Sequence, residues 1–293
     1  MADKPRTAAA YSLGHLERVR ATCLYVATML GDLLSDIVVV GGLVPSLIVD
    51  QTALPDGTDP HPGTQDLDLA LALALLDQER YRAVSQRLRD GGFIPDTNAQ
   101  GNRTRQRWRV QSGGAPITVD FLIPPSRPSD KGGMLRDLEE DFAAFIIAGL
   151  RLAFLDRQIV ELNGMTILGE NARRNVPVCG PGAFVLLKAL AFNARGYNKD
   201  AYDLYYVVRN YGRGVEDVAV RLRKLLREPE AVEGLEILRR DFVDRNGIGP
   251  MRVAQFLRGT ADDAIQADVA GFVRQLIEAC HRKPSRRGKP KRK

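Results

Sequence analysis

The octet Asp66-Leu-Asp-Leu-Ala-Leu-Ala-Leu73 constrains the fold most. Its apolar positions alternate with a period of two, which predicts a β-strand with one wet face. Aspartate is a poor strand former, so two aspartates at the head of such a strand need a reason. The period places both carboxylates on one face, where they repel unless a cation lies between them. Hard oxygen donors of this kind suit Mg2+ or Mn2+, ions that also coordinate phosphates. The bland alternative is an exposed strand end, and metal binding by Asp66 and Asp68 is the stronger expectation.

The neighbouring segments place this strand in an α+β chain. Residues 12–34 are apolar at helical spacing. Ile37–Val40 is a β-branched run that enters Gly41-Gly42, and a helix with Pro45 in its first turn is expected over Leu43–Val49. Residues 50–65 carry Pro, Gly and Asp and predict a long loop. A helix over Asp77–Asp90, capped by Asp77, should stop at Gly91-Gly92. Arg103–Val110 and Ile117–Ile123 flank Gly113-Gly114 as a hairpin. Pro124–Gly133 reads as a loop, residues 137–150 as a helix, and Leu152–Glu161 as an extended segment turning at Asn163-Gly164. Beyond Cys179 the pattern is helical to about residue 281. The expected organisation is a mixed β-sheet with flanking helices over 1–180, a helical domain over 181–281, and a disordered basic tail over 282–293.

Counting back from the hairpin turn predicts its register. Val110 should face Ile117, Trp108 should face Val119, and Arg107 should face Asp120. One face is then apolar, and the other carries Arg103, Arg105, Arg107 and Arg109 beside Thr118 and Asp120. The arginine stripe is either a solvated sheet face or an attraction for a polyanion. Glycines at 41 and 42 would let a ligand approach the backbone and leave amide donors free for phosphate. Lys188 and Arg195 fall on one helical face, and Asp200 and Asp203 open the next helix beside Lys199. The simplest reading of Asp200 is helix capping, and of Lys188 a surface lysine.

In this order the residues resemble the AbiEii/AbiGii toxin family of the DNA polymerase β-type nucleotidyltransferase superfamily, which includes the MenT-type toxins. The matching parts are Gly41-Gly42, Asp66 and Asp68, Asp120, Lys188, and Lys199-Asp200-Ala-Tyr-Asp203-Leu204. The likeness runs from about residue 37 to 210. It implies a nucleotidyltransferase-type sheet and transfer of NMP from an NTP to an acceptor hydroxyl. It also implies Mg2+ or Mn2+ on Asp66, Asp68 and Asp120, with the last as alternative proton acceptor. Gly41, Gly42, Lys188, Lys199 and Asp200 would handle the nucleotide, and Asp203 would orient Lys188 or the base. It further implies an enzyme acting as a toxin with a cognate antitoxin, on a tRNA 3′ end or other RNA acceptor. The separation of Gly42 from Asp66 by residues 43–65 exceeds the family's usual spacing, and a loop this long, including His61-Pro-Gly-Thr64, is placed to contact substrate. Two other classes stay open: a non-catalytic RNA- or partner-binding protein on the same scaffold, and a metal-dependent nuclease.

Charge narrows the partners. The chain carries a formal net charge of +6, yet Arg282–Lys293 alone holds eight basic residues and no acid, leaving Met1–His281 at a net of −2. A uniformly basic nucleic-acid-coating protein is therefore disfavoured, and the tail is either a solubilising terminus or an electrostatic tether for RNA. Apolar content of 44% with 27% charged residues excludes global disorder. Cys23, Cys179 and Cys280 lie far apart, which disfavours a disulfide scaffold and fits a reducing cytoplasm. His15, His61 and His281 are too scattered for a histidine-rich metal site. No signal peptide or membrane-length apolar run is seen, so the expectation is a cytoplasmic protein.

Overall fold

The computed structural model describes residues 5–71, 78–98, 100–111 and 114–282. The expected Asp77 cap, the end of the Asp66–Leu73 octet, Gly113 of the hairpin turn and the tail from residue 283 lie outside the described residues.

A mixed sheet forms the centre. Strand β1 (Ile37–Val40) is buried at all four positions and lies between β2 (Asp66–Leu71) and β9 (Asn171–Cys179). Four consecutive apolar residues, all β-branched, suit a strand covered on both faces. The order is β3 (Ile94–Thr97), β4 (Arg103–Val110), β5 (Ile117–Ile123), β2, β1, β9 and β8 (Arg157–Met165). The short strands β6 (Leu135–Asp137) and β7 (Ala143–Ile146) pair together, and β7 runs parallel to β5. Helix α1 (Leu13–Leu30) and helix α3 (Gln78–Asp90) pack together, and α1 also covers part of the sheet. Helices α2 (Val44–Ile48) and α4 (Arg151–Leu155) are single short turns.

The expected β4–β5 register is the observed one: Val110 faces Ile117, Trp108 faces Val119, and Arg107 faces Asp120. Its apolar face seats Trp108, fully buried, edge-on to Phe121 and Phe142. The Trp108 indole donates to the Arg105 carbonyl at 3.1 Å, so its one polar atom is satisfied.

Four local expectations are corrected. Residues 137–150 are not a helix. Phe142, Ala143, Ala144 and Ile146 are buried, and Leu122 and Ile123 of β5 pair with Phe145 and Ile146. A continuous apolar run is ambiguous between helix and buried strand, and here the end of β5, beyond its ladder with β4, decides. The segment from Leu152 begins as α4 rather than as strand, because Leu152 and Ala153 bury toward the core. The β8–β9 turn is not at Asn163-Gly164: Gly164 pairs with Ala172 inside the ladder, and the chain reverses over Thr166–Glu170. Strand β2 also lacks a freely wet face. It is a central strand, and only Asp68 in it is half-buried.

The chain leaves the sheet at Cys179 and continues as helices α5 (Pro181–Arg195), α6 (Asn198–Asn210), α7 (Val215–Arg223), α8 (Pro229–Phe242), α9 (Ile248–Arg258) and α10 (Asp263–His281). Pro181 at the first turn of α5 and Gly196 just past its end mark both boundaries. The side chain of Asp262 caps α10 by accepting from the Ala264 and Ile265 amides. Phe192 of α5 meets Phe242 of α8 with ring centroids 5.1 Å apart. Among the described residues no helix is long and apolar enough to cross a membrane.

Candidate active site

Mixed pairing around β2 brings the strand motifs to one place. Asp68 lies opposite Val40, the last residue of β1, on one side and opposite Asp120 of β5 on the other. Strands in register share the facing of their side chains, so Asp68 and Asp120 sit side by side, with Asp66 two residues away on the same face. Arg107 faces them from β4. Its Nε donates to Asp120 Oδ1 at 2.6 Å, and its Nη2 donates to Oδ2 at 2.5 Å. Nη2 is also 3.6 Å from Asp66 Oδ2. Hydrogen bonds to Asp120 raise the Arg107 pKa above its ordinary value against the opposing effect of burial, and the charges of Asp120, Asp66 and Asp68 add to the rise. Two more arginines of the stripe have carboxylate partners. Arg105 is 3.0 Å from Asp137, and Arg109 is 3.7 Å from Asp96.

The glycine turn closes over these carboxylates. Gly41 has φ 73°, a left-handed conformation that side chains with a Cβ avoid. A Cβ there would lie 1.8 Å from Asp68 Oδ2. A Cβ on Gly42 would lie 2.5 Å from Thr64 Oγ1 and 3.5 Å from Lys199 Nζ. The turn is thus walled by Asp68, Thr64 and Lys199, and the Thr64 hydroxyl donates to Asp66 Oδ1 at 3.1 Å. Replacing Gly41 with Ala should cost roughly 1–2 kcal/mol from the backbone alone, with a further penalty as Asp68 is pushed aside. Urea denaturation of the G41A variant measures it.

The helical motif supplies a buried ion cluster. Lys188 and Arg195 of α5 converge on Asp200 of α6. Lys188 Nζ is 3.0 Å from Asp200 Oδ1, and Arg195 Nε is 2.6 Å from Oδ2. Lys188 Nζ is also 2.8 Å from Asp203 Oδ2, and Lys199 Nζ is 2.7 Å from Asp203 Oδ1. Burial works against charge on every member, and the contacts decide the outcome. Asp203 is held far below the ordinary carboxylate range, because Lys188 and Lys199 outweigh its burial. Asp200 is lowered likewise by Lys188 and Arg195. Lys188 stays above its ordinary value, since Asp203 and Asp200 overcome its burial. Lys199 falls below its ordinary value, because burial dominates and Lys188 adds to it. Lys188 is therefore no surface lysine, and Asp200 is not the cap, a position Tyr197 occupies, but an ion-pair partner in the first turn of α6. Burial works against the Arg195 charge, Asp200 raises its pKa above the ordinary value, and the charge of Asp68 adds to the rise, which links the two halves of the site electrostatically.

Sequence reasoning missed His61. Its imidazole is fully buried, and Nε2 is 2.9 Å from Asp203 Oδ1. The Gly63 amide donates to Nδ1 at 3.1 Å, which places the ring proton on Nε2 as donor to Asp203. Burial, and then the Lys199 charge, push its pKa down to about 4. The composition of the loop carried no sign of this contact, which spans 142 positions of sequence. Tyr11, equally unforeseen, lays its ring 5.4 Å from Lys199 Nζ.

The structure thus brings Gly41, Gly42, Asp66, Asp68, Asp120, Lys188, Lys199, Asp200 and Asp203 to one end of the sheet. Among the described residues no three His, Cys, Asp or Glu side chains converge to hold a metal ion. Arg107 engages Asp120, where a third carboxylate ligand would otherwise face the pair. The donor chemistry of Asp66 and Asp68 still fits Mg2+, which binds through one or two carboxylates and completes its shell with substrate phosphates and water.

The sequence matches no family profile. It is 24% identical to an uncharacterized protein of Aquifex aeolicus (strain VF5), over 37% of this chain and 56% of that protein. The match therefore spans about half the length of that relative.

Proposed function

We propose that the chain is a Mg2+-dependent nucleotidyltransferase that moves NMP from an NTP to an acceptor hydroxyl. We further propose that it acts in the cytoplasm as the toxin of a toxin–antitoxin pair, with a tRNA 3′ end as acceptor. The observation that carries the reading is the in-register pairing of Asp68 with Asp120 beneath a glycine turn that Lys199 overlooks. A phosphate chain needs backbone donors and a cation, and its reacting phosphorus needs carboxylates for a metal and for a proton.

In this reading the amides of Gly41 and Gly42 receive the β- and γ-phosphates. Lys199 is the cation beside them, and Lys188, held by two carboxylates, positions Asp203 rather than the nucleotide. Asp66 and Asp68 would hold Mg2+, which would supply neutralisation of phosphate charge and polarisation of the α-phosphoryl group. The acceptor oxygen attacks the α-phosphorus, the bond to the bridging oxygen of the β-phosphate breaks, and pyrophosphate leaves. The hydroxyl proton passes to a carboxylate on this face, with Asp120 the best placed once Arg107 yields. The sheet would then be the catalytic module of 1–180, and α5–α10 the unit that completes it.

The test supplies purified protein with Mg2+, total tRNA and NTPs labelled on either the α- or the γ-phosphate. Label from the α-position should enter acid-insoluble product, γ-label should not, and chelation by EDTA should stop the transfer. RNA cleavage without NTP would replace this reading with a nuclease. NTP bound but never transferred, across RNA and protein acceptors, would replace it with a binding protein.

A further inference from the structure

The loop at residues 50–65 belongs to neither the strand motif nor the helical motif, yet it reaches both. We infer that His61 is a positioning residue: through Asp203 it aims Lys199 at the Gly41-Gly42 turn, and residues 61–64 strap the helical ion cluster to the strand carboxylates. The catalytic part of this inference rests on the nucleotidyltransferase reading.

Asp203 is a hub with three donors. Oδ1 receives His61 Nε2 at 2.9 Å and Lys199 Nζ at 2.7 Å. Oδ2 receives Lys188 Nζ at 2.8 Å. With all three in place the carboxylate plane cannot turn, and the direction of Lys199 Nζ is set. Three residues on, Thr64 donates to Asp66 and packs against Gly42. One short segment therefore touches α6, the glycine turn and β2.

The strap is itself anchored. Gln51 Oε1 accepts from the His61 amide at 3.0 Å and from the Tyr206 hydroxyl at 2.9 Å. The imidazole stacks on Tyr202 at 5.6 Å between centroids and meets Tyr206 edge-on at 5.0 Å. The charged and titratable groups around it are Asp203, Lys199, Lys188, Tyr202 and Tyr206. A neutral donor is what this place requires. A lysine or arginine here would add a cation beside Lys188 and Lys199 and compete with them for Asp203. Neutral imidazole fixes the carboxylate without adding charge.

Two measurements separate this inference from the reading beneath it. The first needs no activity. In 15N spectra of the full-length protein with labelled histidine, His61 should hold its proton on Nε2 and remain neutral from pH 8 to pH 5. Titration near the ordinary histidine value of 6.5 would overturn the strap. The second compares His61→Phe and His61→Gln in NTP transfer. His61→Phe keeps the ring and loses both hydrogen bonds, while His61→Gln keeps a donor for Asp203. Transfer by His61→Phe should fall roughly tenfold to a hundredfold in kcat/KM, mostly as a rise in KM for NTP, because a misplaced cation costs about that much. His61→Gln should recover most of the loss. Equal kinetics in wild type and His61→Phe would overturn the positioning role. An inert wild type with a neutral His61 would overturn the nucleotidyltransferase reading and leave the strap standing.

Discussion

The Asp68→Ala variant is expected to lose NMP transfer by about a thousandfold or more while folding as well as the wild type. Asp66, Asp68 and Asp120 share one face, and Arg107 Nη2 lies 3.6 Å from Asp66 and 2.5 Å from Asp120. Removing the Asp68 charge relieves repulsion from its neighbouring carboxylates but forfeits its attraction to Arg107 and Arg195, so stability should change little. Catalysis should fall steeply, because a phosphate chain brings further negative charge that a metal on these carboxylates helps to offset. Asp66→Ala should differ. Asp66 is buried, accepts from Thr64 and lies beside Arg107, so its loss should lower stability as well as activity. Transfer assays paired with urea denaturation distinguish the two variants. Transfer that persists in Asp68→Ala would sink the assignment of this face.

The largest expected loss of stability follows from Asp203→Asn. Removing one partner from a buried ion pair costs about 3–5 kcal/mol, since the remaining charge stays desolvated. Asp203 is fully buried and serves Lys188, Lys199 and His61 together. Asparagine would leave both lysines dependent on Asp200, which Arg195 already engages. The control is Asp217→Asn, which removes an i,i+4 partner of the exposed Arg213 and should change stability by less than about 1 kcal/mol. The same cluster should make the protein acid-sensitive. Asp203 and Asp200 stay ionised when folded at pH values where the unfolded carboxylates protonate. Unfolded His61 takes up its proton near pH 6.5, and the folded residue does so only near pH 4. In both cases the unfolded chain binds protons first, so stability is complete above about pH 6.5 and declines as pH falls. Denaturation midpoints between pH 7 and pH 4 should show the decline, and Asp203→Asn should flatten it.

The features legible in the sequence were those with local causes. The period of two at Asp66–Leu71 announced a strand, and one glycine turn sufficed to count Arg107 onto Asp120. The spacing of Lys188 and Arg195 put both on one face of a helix, because the helical repeat sets which side chains share a face, but their convergence on Asp200 and Asp203 of the next helix was not legible. What stayed hidden depended on distant neighbours. Residues 143–146 became a strand because the last residues of β5, Leu122 and Ile123, run past β4 and take a new partner there. His61 looked like one polar residue in a loop of Pro, Gly and Asp, and its partner on α6 was identifiable only once the loop's path was known. Arg105 and Arg109 looked available to a polyanion until Asp137 and Asp96 were found beside them.

The division of the site between sheet and helices also bears on how the protein is made. Synthesis delivers the Gly41-Gly42 turn and the aspartates long before α6, and domains take shape from the N-terminus as they emerge. A nascent chain that ends before Lys199 has its carboxylates, but lacks both the cation beside the turn and the aspartate that aims it. On the proposed reading, competence arrives late, when α6 docks against α5 and engages His61. An unfinished or prematurely released chain would then hold the strand aspartates but no working centre, and tRNA would meet the proposed activity only once α6 is made.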